Sequence, residues 1–498
     1  MREPVSRLIA LVVLIVGIAC FNYMSRNEAY AAAQREQSNI VYLPIIPVRS
    51  AEKTGDFDVF HMGLYQSVQS HANDVTLVAH KPALLRVYAR MSKFTGAGPM
   101  TLVRVDAYRN GQFIGSVTSD LKQVSPEPSA DDMDSTYNID LPLEWLSGNL
   151  MLMATIDAPD SISEINEGNN SIQATFQFQE VVPLNLTIVP INYIDTVTGI
   201  TYSEAGHDPL SSWLLSAFPV SDIIVHIHEP LTFTGDLRLG DEWGRLLGEV
   251  TTLWGNEVGA GSSHIYYGLI PNSSPEGAGW FQGGISGLGW IGQRVSVGLD
   301  VGEGTGSSAA HEIGHNFGRR HAPCGNPSGV DPNFPYQNAS IGVFGVDTLD
   351  ERLLDPDLTH DVMSYCGPEW VSDYTYEGLF QDQSLRGGNS APTSEGEFFG
   401  FVADSNQLNS LRDVRPGSSF YDLASKDGYQ IQLLDKEGQI IATYPGLMFF
   451  AEEEGVSVGM FGANIPETPE MGRVATVHVV SDGIVIARQN ADTISGMK

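Results

Sequence analysis

The sequence is poor in three things. It has only 3 cysteines in 498 residues. It is short of positive charge, with 27 Lys+Arg against 60 Asp+Glu and a net charge of −33. After the first two dozen residues it has no apolar run of membrane length. The few cysteines exclude a small disulfide-stapled scaffold. The acidic balance excludes an ordinary nucleic-acid partner and adhesion to anionic membrane. With no later apolar run of membrane length, everything after the N-terminus is expected to lie outside the cell and to be soluble. No short-period internal repeat occurs.

What is present points to several globular units. A chain this long outgrows one core, and 42% hydrophobic residues suffice for packed domains. The 52 glycines favour turns and short strands over long helices. Arg2 and Arg7 precede an apolar run from Leu8 to Phe21, the pattern of an export signal. Small residues at Ala29–Ala33 offer one cleavage point. The sequence before Cys20 resembles a lipoprotein cleavage site, and an uncleaved anchor is a third option. Residues 1–33 are therefore expected to be a signal peptide or membrane anchor, and 34–56 a linker. The mature protein is expected to be secreted or extracellular, with cell-surface attachment through the N-terminus as the alternative.

Residues 57–182 alternate apolar and polar positions, as in Leu84–Met91, Thr101–Val117 and Asn149–Asp157. Asn110-Gly111 is a two-residue hairpin signal. An immunoglobulin-like sandwich is expected. Residues 183–382 alternate strand patterns with helical ones, at Asp208–Phe218 and Glu242–Asn256, and predict an α/β unit. A Gly-rich stretch, Gly277–Gly292, leads to a strand near Arg294–Leu299, whose edge is expected to receive an extended peptide. Residues 383–397 read as a linker, and 398–498 as a C-terminal β-domain.

The chemistry concentrates in HEIGHNFGRRH. His311 and His315 are four apart and share one helix face. Two imidazoles so placed can meet one zinc ion. Glu312 stands beside them as a candidate base for a metal-activated water. Gly318 can end the helix in a left-handed turn that returns His321 to the metal. Three protein ligands leave a fourth position for water, the arrangement of a catalytic site. The bland alternative is a core helix with hydrogen-bonded histidines.

At these residues the sequence resembles the metzincin zinc metallopeptidases, and HDVMSYCGP downstream resembles their methionine turn. That resemblance implies an α/β (α+β) catalytic domain and zinc held by His311, His315 and His321. It also implies Glu312 as general base and Met363 in the turn beneath the metal. Tyr365 resembles the tyrosine that, in some branches, touches the metal or stabilises the oxyanion. Ala322 and Pro323 match none of the best-known branches. The segment from Asp157 through Glu164, Glu167, Asn169 and Asn170 resembles the last hairpin of CARDB domains, bacterial sandwich modules related to cell adhesion.

Cys324 and Cys366 each follow a key residue by three positions, and a disulfide between them is expected in an exported protein, two free thiols being the alternative. His226 and His228 share a strand face, where ordinary strand histidines are more usual than a second metal. His360 and Asp361 are candidates for supporting a ligand histidine. Asp300 and Glu303 are candidates for calcium or for the start of the motif helix.

The chain is thus expected to be a multidomain secreted zinc endopeptidase acting on extracellular proteins or glycoproteins. The alternative class is a surface adhesion or carbohydrate-binding protein with a vestigial peptidase domain. A gluzincin, whose third ligand is a distant glutamate, would not need Gly318 and His321.

Overall fold

The structure is a computed structural model that describes residues 55–94, 98–203, 206–258, 262–273, 279–382, 384–386, 397–404, 407–414, 428–453, 456–465 and 472–491. The expected signal or anchor at 1–33, nearly all of the linker at 34–56, Cys20 and most of the linker at 383–397 lie outside these residues. The fold is multidomain and mostly β-sheet, with four α-helices among the described residues. None of them is long and apolar enough to cross a membrane.

The first part is a two-sheet sandwich. Asp56–Tyr65, Leu84–Ser92 and Tyr137–Asp140 form one sheet, and a five-stranded sheet built around Asn149–Ile156 forms the other. The Asn110-Gly111 turn joins Val103–Arg109 to Gln112–Thr118, and both residues have positive φ, at 51° and 76°. That is the geometry a two-residue hairpin needs to match strand twist. Glu164 is buried where the last hairpin returns. Its carboxylate accepts hydrogen bonds from the Phe57 backbone and the Asn170 side chain, closing the hairpin onto the first strand.

The sandwich is stitched to the next unit. Val68–Gln69 pairs with Phe344–Asp347. Lys81, 1% exposed, donates to the carbonyls of Leu215 and Ser216 at the end of a helix in that unit. Neither link has a local sequence signal, because each joins segments more than a hundred residues apart.

The second unit is organised by the strand Leu184–Asp195. It runs parallel to Ile265–Pro271, which runs parallel to Val295–Asp300. Inter-strand crossings of this kind carry helices on the faces of the sheet. Side chains alternate accordingly. Leu186, Ile188, Ile265 and Tyr267 join a core with the helices Ser211–Ala217 and Thr305–Asn316. Val189, Ile191, Val295 and Val297 join a second core with Gly240–Glu257, whose Trp243, Leu247, Val250 and Trp254 recur on one helix face.

The sheet ends differently from the expectation. Val295–Asp300 is an inner strand, flanked on both sides. The edge is Gly287–Gly289, antiparallel to it and drawn from the Gly-rich stretch. Close packing beneath this strand is what demands its glycines. A side chain at Gly287 would collide with the Glu312 carboxylate, and one at Gly289 with the Glu312 backbone.

The C-terminal part has two four-stranded sheets. Its Ala451, Val458 and Met460 enter the core around Trp243 and Trp290, so this domain is seated directly on the second unit.

Candidate metal centre

The motif helix, Thr305–Asn316, is buried along almost its whole length. Ala309, Ala310 and Ile313 face the core, which turns His311, Glu312 and His315 toward the cleft. Asn316 fixes the far end. Its amide donates to the carbonyls of Trp290 and Val295 at 3.1 and 2.9 Å and accepts from Ser296 Oγ. Gly318 follows with φ +78°, and the amides of Gly318 and Arg319 close back on His315 and Gly314. This left-handed exit brings His321 under the helix, as its glycine predicts.

Three imidazoles converge. Each uses Nδ1 to donate to a backbone carbonyl: His311 to Val362 at 2.7 Å, His315 to Arg319 at 2.8 Å, His321 to Ser328 at 2.6 Å. In a neutral ring that leaves Nε2 as the lone pair, and the three Nε2 atoms face one another. The Nε2 atoms of His315 and His321 are 3.2 Å apart. Two zinc–nitrogen bonds of about 2.0–2.1 Å at the tetrahedral angle separate their nitrogens by about 3.3–3.4 Å. Two lone pairs at that distance repel unless a cation lies between them. His311 Nε2 and Glu312 Oε2 are buried without a hydrogen-bond partner. The donor set and its orphaned atoms therefore fit a divalent metal. Carbonyl partners behind every ligand imidazole are the usual outer support of such sites.

A fourth group completes the cluster. Glu453, from the C-terminal strand Leu447–Glu453, places Oε1 3.3 Å from His321 Nε2, 3.6 Å from His311 Nε2 and 3.8 Å from His315 Nε2. All four ligand atoms lie within 4.8 Å of one another, and all four residues are buried. Sequence reasoning missed Glu453. It sits 132 residues from His321 in another domain, and an acidic run on a strand has no metal-ligand spacing.

The electrostatics follow from burial and these neighbours. Burial holds His315 down to about 4, keeping it in the neutral, ligating form. Burial works the same way on His311, but the carboxylates of Glu453 and Glu312 outweigh it and raise its pKa to about 9. Burial and the Glu453 charge push Glu312 well above the usual carboxylate range. Burial would raise Glu453 too, but the three imidazoles hold it well below that range.

Beneath the helix lies the turn around Met363, which is fully buried. Asp361 supports it, accepting from the Met363 amide at 2.8 Å and the Ser372 amide at 2.9 Å. His360 points away and bonds the Asn338 carbonyl. Ala322 donates to Met363 O at 2.8 Å and Tyr365 to Cys324 O at 3.0 Å, so the two segments are zipped together. Across that zipper Cys324 and Cys366 form a disulfide, with Cα atoms 5.7 Å apart. The Tyr365 hydroxyl reaches the cluster, 3.4 Å from His321 Nε2, and donates to Glu453 Oε2.

A cleft of about 340 Å³ opens over these residues, lined by His311, Glu312, Tyr365, Glu453 and the segment Gly284–Ser286 that leads into the edge strand.

The other candidates fall outside this site. His228 bonds Glu257 at 2.9 Å, and no second metal cluster occurs among the described residues, for calcium or otherwise. Asp300 accepts from Thr305 Oγ1 and the Gly302 amide, organising the start of the motif helix, while Glu303 is exposed.

No family model matches this chain, and no curated protein matches it. Among solved structures, the CARDB domain of a Pyrococcus furiosus protein in complex with di-metal ions aligns at 18% identity and a TM-score of 0.17. That alignment covers 26% of this chain and 97% of that one. A domain assigned to a cell surface protein of Methanosarcina acetivorans aligns at 14% identity and a TM-score of 0.17, covering 25% and 92%.

Proposed function

We propose that this chain is an exported zinc endopeptidase of metzincin type that cuts extracellular proteins or glycoproteins. The observation that carries the reading is the convergence of the three Nε2 atoms of His311, His315 and His321, each fixed by a carbonyl behind it.

His311, His315 and His321 would hold the metal. Zinc in such a site lowers the pKa of a bound water to about 7 and polarises a carbonyl. Glu312 is the one carboxylate on the motif helix that faces the cleft, and it has an unpartnered oxygen there. Its role is to take a proton from the attacking water and pass it to the leaving amine. Tyr365 carries a phenol to the same space, suited to donate to the oxyanion that develops on the scissile carbonyl. Gly287–Gly289 is the sheet edge beside Glu312. An unpaired edge binds an extended peptide through backbone hydrogen bonds, without demanding particular side chains. The Cys324–Cys366 bridge supports an oxidising, extracellular setting.

Zinc content and cleavage of casein or gelatin test the reading. One zinc per chain and cleavage lost to chelators are expected. A chain that carries no zinc, or that cleaves neither protein even with the Glu453 carboxylate removed, overturns it. That second outcome would favour a surface-binding protein built on a vestigial peptidase domain.

A further inference from the structure

We propose that Glu453 is a fourth metal ligand supplied by the C-terminal domain, and that it keeps the centre closed as a built-in plug. The inference rests on the zinc-peptidase reading above.

A hydrolytic metal site needs one position free for water. Here the position facing the cleft is filled by a carboxylate oxygen within 3.3–3.8 Å of all three ligand nitrogens. The other oxygen of the same carboxylate accepts from Tyr365. One side chain therefore occupies the water position and engages the phenol assigned to the oxyanion. A substrate carbonyl and an attacking water would meet both places taken.

The plug is held in place by its own domain. Ile291 donates to the Phe450 carbonyl at 2.9 Å, tying the plug strand to the segment just after the edge strand. Ala451, Val458 and Met460 are buried in the core beside Trp243 and Trp290. Gly244 lets the helix Gly240–Glu257 approach Val458 so closely that a Cβ there would collide with it. A lone carboxylate on a mobile tail would exchange with water. One anchored by a packed interface does not, until the interface opens or the strand is cut.

A buried carboxylate amid three imidazoles is costly without a cation to share. The centre thus gains a closed four-ligand shell of the kind found in structural zinc sites, at the expense of turnover.

The test uses the full chain and the variants Glu453→Gln and Glu453→Asp. Zinc affinity is measured by chelator competition, the visible absorption of the cobalt-loaded protein is recorded, and casein cleavage is assayed at saturating zinc. E453Q should bind zinc more weakly by at least the roughly 10–100-fold that outer partners of metal ligands command. Its cobalt spectrum should change, and its cleavage should rise about tenfold or more. E453D should lie between. Circular dichroism separates these effects from misfolding, and E453Q keeps the side-chain shape. Unchanged affinity and spectrum overturn the ligand assignment. Slower cleavage by E453Q overturns the plug and makes Glu453 a participant in the reaction. If E453Q shifts affinity and spectrum but neither protein cleaves peptide, the ligand stands and the peptidase reading fails. If the wild-type chain binds no zinc, both fall.

Discussion

The Met363 side chain fills the space where Gly314 has no Cβ, packing its sulfur against the middle of the motif helix between His311 and His315. Any side chain at Gly314 would strike the sulfur. Glycine inside a helix costs about 1 kcal/mol against alanine, so the intrinsic propensity favours replacement and the packing opposes it. Overpacking a filled core costs roughly 1–3 kcal/mol. Gly314→Ala should therefore lower the unfolding midpoint and weaken zinc retention, because the helix must move away from the turn that supports it. Gly314→Ala combined with Met363→Ala should recover part of the loss. A G314A protein with wild-type stability and zinc affinity would remove Met363 from its role under the metal.

Glu312 and Tyr365 should separate by kinetics. Glu312→Gln keeps the shape and cannot take a proton. Its cleavage rate should drop roughly 100- to 10,000-fold with zinc still bound, the range for a general base. Tyr365→Phe should lower kcat roughly 100- to 1000-fold with little change in KM, as for a lost oxyanion donor. Both are best measured in the Glu453→Gln background, where the phenol is released from the Glu453 carboxylate. Equal loss of KM and kcat in Tyr365→Phe would make the tyrosine a substrate-positioning residue instead.

The Cys324–Cys366 bridge closes a separation of 42 residues that contains the methionine turn. Chain-entropy reasoning gives such a loop about 4 kcal/mol of stability. Replacing both cysteines by serine should lower stability by about 2–5 kcal/mol in urea titration. Zinc should still bind, because the backbone bonds Ala322–Met363 and Tyr365–Cys324 hold the two segments without the sulfurs. An unchanged midpoint would mean that the unfolded chain is already compact over this stretch.

The readable part of the site was the part encoded by local geometry. His311, Glu312 and His315 follow from helical spacing, Gly318 from the conformation it alone adopts freely, and Met363 with Cys366 from position relative to one another. Glu453 was illegible because a strand from another domain delivers it, and no periodicity connects it to the helix. Sequence alone puts the edge at Arg294–Leu299 rather than at Gly287–Gly289 for a different reason. The glycines of Gly287–Gly289 answer to the bulk of Glu312 packed against them, a tertiary demand that overrides strand propensity. In the same way the Asn110-Gly111 hairpin could be read from two residues, while the pairing of Val68–Gln69 with Phe344–Gly345 could not.

Lys81 makes the seam between sandwich and second unit sensitive to pH. Its ammonium is buried and donates to Ser216 O at 3.2 Å and to Leu215 O, with the Asp347 carboxylate near. Burial lowers its pKa to about 7, the Asp347 charge opposing only in part. In the unfolded chain the same group titrates near 10.4. Between about pH 7 and pH 10 the unfolded state therefore binds more protons than the folded one, and stability rises with pH across that window. Below pH 7 both states are protonated and the full penalty of burying the charge is present. The slope contributed by one such group approaches about 1.4 kcal/mol per pH unit. Urea titrations at pH 6, 8 and 9.5 should show the rise in the wild-type protein and a flatter profile in Lys81→Met. If the two profiles run parallel, Lys81 stays charged throughout and the seam carries a stable buried cation.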